Sequence, residues 1–161
     1  MTGCQLIVAV NPNGIIGVNN EIPWNYPGDT KRFRRLTLNT TVVMGRNTWE
    51  SLPIQFKPLP RRRNIVITNN SIPEIECYGT IEEALNSISR PVWFIGGAKL
   101  YEAAMKFCDF MDITYIPDIF PANNKNVYFP PIDLLFWEAG PLIPHEDDFT
   151  LNRRIYTAKR I

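Results

Sequence analysis

Residues 92–104 read VWFIGGAKLYEAA and carry the main signal of an α/β fold. Residues 92–95 form an apolar run of the length of a buried strand, two glycines follow, and a helix is predicted from Ala98. The glycines let a ligand approach the backbone closely where a strand passes the chain to a helix. A tight turn with packing glycines explains the junction equally well, and it is neither a GxGxxG fingerprint nor a Walker motif.

The rest of the chain alternates short apolar runs with helical segments. Thr80, with Glu83 three residues later, has the spacing of a capping box. The alternation predicts an α/β domain with a largely parallel sheet, and the last two strands, with no helix between them, predict an antiparallel pair. Strands are predicted at residues 5–10, 41–44, 64–68, 92–95, 111–119, 136–140 and 149–159, and helices at 27–39, 80–88 and 98–107.

Length and composition narrow the class of protein. The chain has 161 residues, which predicts one domain over 1–161 with a proper core. It is 45% hydrophobic and 20% charged with a net charge of +1, which excludes disorder and gives no electrostatic case for binding nucleic acid or an anionic membrane. No basic leader and no apolar stretch of about 18 residues is present, so we expect a soluble intracellular protein.

Histidine and cysteine are scarce. The single histidine, His145, lies in a stretch predicted to be a loop, and Cys4, Cys77 and Cys108 are far apart. A Ser-His-Asp or Cys-His catalytic set would need His145, and a histidine-rich metal site is excluded. An odd number of cysteines without a CxxC pair favours reduced thiols in a cytoplasm.

A second strand-to-helix junction lies at residues 44–48, MGRNT. Arginine suits bidentate phosphate contacts, and a threonine near a helix start suits capping or phosphate binding. Two such junctions in a small α/β domain predict a dinucleotide at the carboxyl ends of the strands. The alternative is that Arg46 is an ordinary surface arginine.

Asp29 is the candidate acid. It shares one face of the predicted helix with Phe33, Leu36 and Thr37. A carboxylate on an otherwise apolar face would bind a cationic heterocycle. Position alone favours a cap or dipole partner, because acidic residues are common in the first turn of helices.

Two loops hold further candidates. The run Arg61-Arg62-Arg63 is either a solvated face or includes one residue that binds a substrate carboxylate. Residues 14–24, GIIGVNNEIPW, have the composition of a loop that closes over a ligand, or of an irregular connection whose Trp24 packs on the core.

Together these segments resemble the dihydrofolate reductase family. The resemblance implies a single three-layer α/β domain with a central, mostly parallel eight-stranded sheet, an antiparallel C-terminal strand and about four helices. It also implies a cytoplasmic monomer, an antifolate target, that uses NADPH to reduce 7,8-dihydrofolate to 5,6,7,8-tetrahydrofolate for one-carbon and thymidylate metabolism. The segments that carry it, in family order over essentially the whole chain, are GIIGVNNEIPWNYPGD (14–29), VVMGRNTWESLP (42–53), PLPRRRNIVIT (58–68), FIGGAKLYEAA (94–104), ITYI (113–116) and VYFPPI (127–132).

On the substrate side, the resemblance implies that Asp29 is the single carboxylate of the pterin pocket. It would accept hydrogen bonds from the ring N3 and the 2-amino group and favour protonation at N5. Thr114 would support Asp29, Trp24 would lie near the same water network, and Arg62 would bind the glutamate α-carboxylate. The residues implied to line the pterin and benzoyl regions are Ile7, Ala9, Phe33, Leu52, Leu59 and Ile95.

On the cofactor side, the resemblance implies that the backbone of Ala9 and Ile16 binds the nicotinamide carboxamide and that Tyr101, counted with the catalytic residues, lies beside the nicotinamide. Arg46 would favour the 2′-phosphate and so NADPH, and no metal ion is expected. The residues implied around the adenosine phosphates are Gly45, Arg46, Asn47, Thr48, Thr68 and Asn69. Those implied at the pyrophosphate are Gly96 and Gly97, joined by a cis peptide bond, with Ala98, Lys99 and Leu100.

Two other functions are compatible with the fold. A riboflavin-pathway reductase would use NADPH on a ribosylated pyrimidine, but that substrate has no use for a carboxylate at Asp29 or a glutamate clamp at Arg62. A non-catalytic nucleotide-binding module would be expected to have lost the acid or the Gly96–Gly97 junction, and both are present.

Overall fold

The computed structural model describes residues 3–159; the predicted domain extends beyond this range by its first two and last two residues, which lie outside the described part. The strands are β1 (Cys4–Val10), β2 (Ile15–Val18), β3 (Thr41–Gly45), β4 (Arg63–Ile67), β5 (Glu76–Tyr78), β6 (Val92–Phe94), β7 (Phe110–Tyr115), β8 (Asn126–Tyr128), β9 (Trp137–Ala139), β10 (Ile143–His145) and β11 (Asp148–Ala158). The helices are α1 (Pro27–Thr37), α2 (Arg46–Ser51), α3 (Ile81–Leu85) and α4 (Ala98–Ala104), with single 3-10 turns at Ile54–Phe56 and Met105–Phe107.

Within residues 3–159, nine strands form one sheet. Eight of them follow the order β10-β11-β7-β1-β6-β3-β4-β5, and the ninth, β9, pairs with the C-terminal end of β11. The strands from β7 to β5 are parallel, whereas β11 runs antiparallel to β7, β9 and β10. The largely parallel sheet with an antiparallel C-terminal strand is therefore confirmed. Strands β2 and β8 pair separately as a small antiparallel ladder.

Helices cover both faces of the sheet, because its central strands are apolar on both sides. Leu6 and Val8 of β1 pack toward α3 and α4, where Ile81 and Leu100 are buried. Ile7, between them in sequence, points to the other face and joins the cluster that includes Trp49 of α2 and Phe33 of α1. The alternation of side chains along β1 thus produces the three layers that the resemblance implied.

Several predicted elements end earlier than expected, each for a local reason. Helix α1 stops at Thr37, because Asn39 adopts a left-handed backbone with φ of 62°. Strand β7 stops at Tyr115, two residues before Pro117, which has no N–H to donate to a strand ladder. At α3 the predicted cap is present, since the Thr80 hydroxyl accepts the backbone N–H of Glu83 at 3.2 Å.

Two further features concern the length of the helices and the state of the cysteines. None of the helices between residues 3 and 159 is long and apolar enough to cross a membrane. Cys4, Cys77 and Cys108 are all unpaired, and burial raises the pKa of the Cys4 and Cys108 thiols.

Candidate active site

Asp29 projects from the first turn of α1 toward the sheet and makes no helix-capping hydrogen bond. Its Oδ1 accepts the Thr114 hydroxyl of β7 at 2.9 Å, across 85 positions of sequence. The Asp29 side chain is 24% exposed, while Thr114 is buried. Ala9 of β1 is the register partner of Thr114, so the carboxylate lies above the carboxyl ends of β1 and β7.

His145 also contacts this carboxylate, which the sequence did not indicate. The predicted loop is strand β10, paired with β11, and the imidazole is fully buried. Its Nε2 lies 3.0 Å from Asp29 Oδ1, and its Nδ1 accepts the backbone N–H of Asp147 at 3.0 Å. The only available signal was that His145 is the one histidine of the chain.

An apolar wall extends from Asp29 along α1. Ile7 and Leu59 are buried in one cluster, against which the half-buried side chains of Phe33, Leu52 and Ile95 pack. The structure thus brings together all five larger apolar residues predicted to line the substrate region.

Arg62 marks the far end of this wall. Its Nη1 donates to the Thr37 hydroxyl at 3.1 Å, and its Nε donates to the Pro60 carbonyl at 2.9 Å. Asp29 and Thr37 are eight residues apart in α1, which corresponds to about 12 Å along the helix. The site therefore offers a carboxylate at one end and a guanidinium at the other.

The three arginines of the run differ in their surroundings. Arg61 is exposed, and Arg63 pairs with Glu76 at 2.7 Å. Within the described part of the chain Arg62 forms no ion pair. Burial and the nearby charge of Arg34 lower the pKa of Arg62. Arg62 is thus the one arginine of the run that is half-buried without a carboxylate partner.

A cavity of about 630 Å³ opens beside this run, at the edge where β3, β4 and β6 begin. Arg62 is the only predicted site residue that lines it, together with Arg61, Arg63 and Arg90. Gly45, Thr68, Gly96 and Thr114, by contrast, lie at or just after the carboxyl ends of β3, β4, β6 and β7. We therefore place the site at the carboxyl ends of the strands.

The two glycine junctions meet at those carboxyl ends. The backbone N–H of Gly45, after β3, donates to the Gly96 carbonyl, after β6, at 2.8 Å. The Gly96–Gly97 peptide bond is cis, as the resemblance implied. Gly96 has φ of +125°, and a Cβ there would lie 3.4 Å from Thr48 Oγ1 and 3.3 Å from Tyr101 Oη. Only a glycine leaves this backbone bare for a ligand.

The remaining residues predicted to bind the nucleotide follow the carboxyl ends of β3, β4 and β6, in a loop or in the helix that comes next. Thr68 follows β4, the strand next to β3, and Asn69 is exposed beside it. Arg46 begins α2 and pairs with Glu50 at 2.7 Å, with both side chains half-exposed. Asn47 and Lys99 are exposed, Gly97 and Ala98 are half-buried, and Leu100 is buried.

Tyr101 connects the glycine junction at Gly96 to strand β1. Its hydroxyl donates to the Ile7 carbonyl of β1 at 2.7 Å, and its ring packs on Phe129 with centroids 5.4 Å apart. Complete burial raises the pKa of Tyr101 far above its ordinary value, so it remains a protonated donor. Tyr101 thereby holds the backbone of β1 two residues before Ala9.

The segment predicted as a loop over the ligand is partly ordered as a strand. β2 pairs with β8, and the register shifts between Ile15 and Gly17, which places Ile16 at the irregularity. Trp24 is half-buried, with its ring centroid 5.9 Å from that of Phe120. Trp24 therefore packs on another loop residue rather than in either buried cluster.

Comparisons with known proteins agree on one family. The family described as "Dihydrofolate reductase" matches residues 4–158. A dihydrofolate reductase of Mycobacterium tuberculosis (strain ATCC 25618 / H37Rv) is 37% identical over 136 residues, which is 83% of each chain. One of Buchnera aphidicola subsp. Acyrthosiphon pisum (strain APS) is 39% identical over 140 residues, which is 84% of each chain. The solved dihydrofolate reductase from Enterococcus faecalis, complexed with NADP(H) and RAB-propyl, has a TM-score of 0.83 and 26% identity, covering 99% of this chain and 100% of that one.

Proposed function

The chain belongs to the dihydrofolate reductase family, and we propose that it transfers a hydride from NADPH to 7,8-dihydrofolate, giving 5,6,7,8-tetrahydrofolate. The observation that carries this proposal is the Asp29 carboxylate, partly exposed at the carboxyl edge of the sheet and fixed through Oδ1 by Thr114. Hydrogen bonds from the described residues reach only Oδ1, which leaves Oδ2 available to the substrate.

The reaction adds a hydrogen at position 5 and a hydrogen at position 6 of the pterin. One arrives as a hydride and the other as a proton, so positive charge develops on the ring. Asp29 is the group that stabilises this charge, by accepting hydrogen bonds from the ring N–H donors and favouring the protonated ring. Thr114 holds the carboxylate in place, and Trp24, which packs on Phe120, would lie near the same water network.

The rest of the substrate follows the apolar wall to Arg62. The benzoyl portion packs among Phe33, Leu52 and Leu59, and the terminal carboxylate meets the half-buried guanidinium. A carboxylate there would offset the unfavourable burial of the Arg62 charge, whose pKa is lowered in its absence. An elongated ligand with a heterocycle at one end and a carboxylate at the other fits these two ends.

The residues at the glycine junctions fit a dinucleotide. Gly96 leaves the backbone bare where the two junctions meet, and Thr48 lies beside it. When bound, NADPH supplies the hydride for the reduction. Tyr101 would orient the β1 backbone beside the nicotinamide, and the backbone of Ala9 and Ile16 would bind its carboxamide. Arg46 would bind the 2′-phosphate in place of part of its contact with Glu50. Asn47, Thr68 and Asn69 would lie near the adenosine end, and Ala98, Lys99 and Leu100 would lie near the pyrophosphate.

The alternative substrates fit these residues less well. A ribosylated pyrimidine carries no carboxylate at the distance of Arg62 and no cationic ring to pair with Asp29. A non-catalytic nucleotide-binding module does not need a carboxylate such as Asp29, held by a hydrogen bond at the end of the apolar wall. We further propose that the protein is a cytoplasmic monomer. The unpaired cysteines support the cytoplasmic location, because the cytoplasm is a reducing compartment.

Absorbance at about 340 nm tests this function, with purified protein, dihydrofolate and NADPH. We expect loss of NADPH absorbance that requires dihydrofolate, and a slower loss with NADH. Replacing Arg46 with leucine should bring the rates with NADPH and NADH closer together. Glu50→Gln, at the neighbouring position, should leave the difference between these rates as in wild type. Loss of absorbance only with a ribosylated pyrimidine would favour the riboflavin-pathway reaction. NADPH binding with no turnover on either substrate would favour the non-catalytic module.

A further inference from the structure

The single histidine of the chain lies against the acid of the site. His145 is fully buried, and its Nε2 is 3.0 Å from the Asp29 oxygen that also accepts the Thr114 hydroxyl. The function proposed above gives His145 no part. A buried imidazole needs hydrogen-bond partners, and one of the two partners of His145 is the carboxylate proposed to bind the substrate.

The backbone fixes which ring nitrogen carries the proton. The N–H of Asp147 points to Nδ1 at 3.0 Å, and an N–H can donate only to an unprotonated nitrogen. The neutral ring in this arrangement therefore carries its hydrogen on Nε2 and donates it to Asp29 Oδ1.

The turn that follows the histidine is anchored to α1, the helix that carries Asp29. Arg32 Nε lies 3.0 Å from Glu146 Oε1, and Arg35 Nη1 lies 2.5 Å from Asp147 Oδ2. At Gly28 a Cβ would lie only 2.4 Å from the Asp147 carbonyl oxygen, so the two backbones are in direct contact. These contacts hold the imidazole and the carboxylate in a fixed relation.

Charged groups face this pair from each neighbouring element. The hydrogen bonds of Thr150 lower the pKa of Asp148, and the pKa of Glu146 is about 2, so neither carboxylate changes charge near neutral pH. These groups are Arg32 and Arg35 from α1, Asp112 from β7, Asp148 and Arg153 from β11, and Glu146 and Asp147 from the turn.

We propose that His145 is a positioning residue for Asp29. Its Nε2–H and the Thr114 hydroxyl occupy the two lone-pair directions of Oδ1, which fixes the rotation of the carboxylate and turns Oδ2 toward the substrate. The same donor stabilises the ionised carboxylate. This inference rests on the proposed reduction of dihydrofolate at this site.

Two variants distinguish the hydrogen bond that His145 donates to Asp29 from the space that its side chain fills. His145→Leu removes the donor, and His145→Gln keeps an N–H near the position of Nε2. Loss of a hydrogen bond to a charged group predicts a fall in kcat/KM for dihydrofolate of roughly 10- to 100-fold in the leucine variant. Its pH–rate profile should also differ from that of wild type, because the carboxylate has lost one of its two donors. The glutamine variant should retain most of the wild-type rate and profile.

Leu151→Ala is the matched control, since it removes a buried side chain from the adjacent strand β11 without touching Asp29. This variant should lower the free energy of unfolding and should have the same pH–rate profile as wild type. A leucine variant with wild-type kcat/KM and profile would overturn the proposal. If that variant does not fold, as judged by NADPH binding, the glutamine variant decides: a wild-type profile supports donation and a displaced one overturns it. All variants are compared with an active wild type, so an inactive wild type would refute the proposed function instead.

Nitrogen-15 NMR of the untagged protein gives a readout that does not depend on activity. Because His145 is the only histidine, one imidazole spin system is expected. Its shifts should report the tautomer with hydrogen on Nε2 at neutral pH. The tautomer with hydrogen on Nδ1 would overturn the proposal.

Discussion

The guanidinium of Arg32 binds both carboxylate oxygens of Asp112, with N···O distances of 2.9 and 2.7 Å. The two side chains are only 3% and 0% exposed. Arg32 lies one turn after Asp29 in α1, and Asp112 lies two residues before Thr114 in β7. The pair therefore joins the helix that supplies the acid to the strand that supports it.

Breaking this pair should cost more stability than any surface ion pair of the chain. Asp112→Asn replaces the buried carboxylate partner of Arg32 by a neutral amide and leaves only the half-exposed Glu146 beside the guanidinium, so we expect a loss of about 3–5 kcal/mol in the free energy of unfolding. Urea denaturation measures it. Asp147→Asn, which weakens the half-exposed contact with Arg35, is the control and should cost about 1 kcal/mol or less. An Asp112→Asn loss as small as the control would show that the buried pair is not the link between α1 and β7.

Glu146 should make stability depend on pH in the acid range. Burial alone would raise its pKa, but the backbone hydrogen bond and the charges of Arg32 and Arg153 lower it from 4.5 to about 2. The folded state therefore favours the ionised form, so the stabilisation is complete above pH 4.5 and is lost as the pH falls toward 2. Urea unfolding of wild type and Glu146→Gln should show a difference at pH 6 that shrinks through this range. A difference that does not vary with pH would contradict this assignment.

Arg62 should affect the substrate and not the cofactor. Arg62→Gln removes the charge at the far end of the apolar wall, so we expect KM for dihydrofolate to rise by roughly 10- to 100-fold, as for lost hydrogen bonds to a charged group. NADPH affinity should be retained. Arg61→Gln, at the exposed neighbouring position, is the matched control. A pterin without the glutamate carboxylate should be reduced equally well by wild type and Arg62→Gln, and an Arg62 effect of equal size on that pterin would contradict the clamp.

Much of the fold follows from the sequence, because its signals are local. The apolar runs at 5–10 and 92–95 and the capping box at Thr80 lie where the structure has β1, β6 and α3. The strand 143–145 was missed because Pro144 within it and Pro141 before it argue against a strand. Pro144 is tolerated because β10 is the edge strand of the sheet and, among the described strands, pairs only with β11.

The site depends on contacts that no local pattern encodes. Asp29 meets Thr114 across 85 positions and His145 across 116. The position of Asp29 in a first turn favoured a cap, and only the family resemblance placed it in a pterin pocket. The resemblance gave no indication of His145, because its contact depends on how the turn after β10 is held against α1 by Arg32 and Arg35.

The most direct test of the account compares wild type with Asp29→Asn at neutral pH, measuring both dihydrofolate turnover and NADPH affinity. Asparagine keeps the shape of the side chain but cannot supply its charge, so we expect turnover to fall by roughly 10²- to 10⁴-fold. NADPH affinity should stay near that of wild type, since the glycine junctions are untouched, and Asp133→Asn, in an exposed loop, should retain both. Equal turnover in Asp29→Asn and wild type would contradict the assignment of Asp29 as the acid of this site.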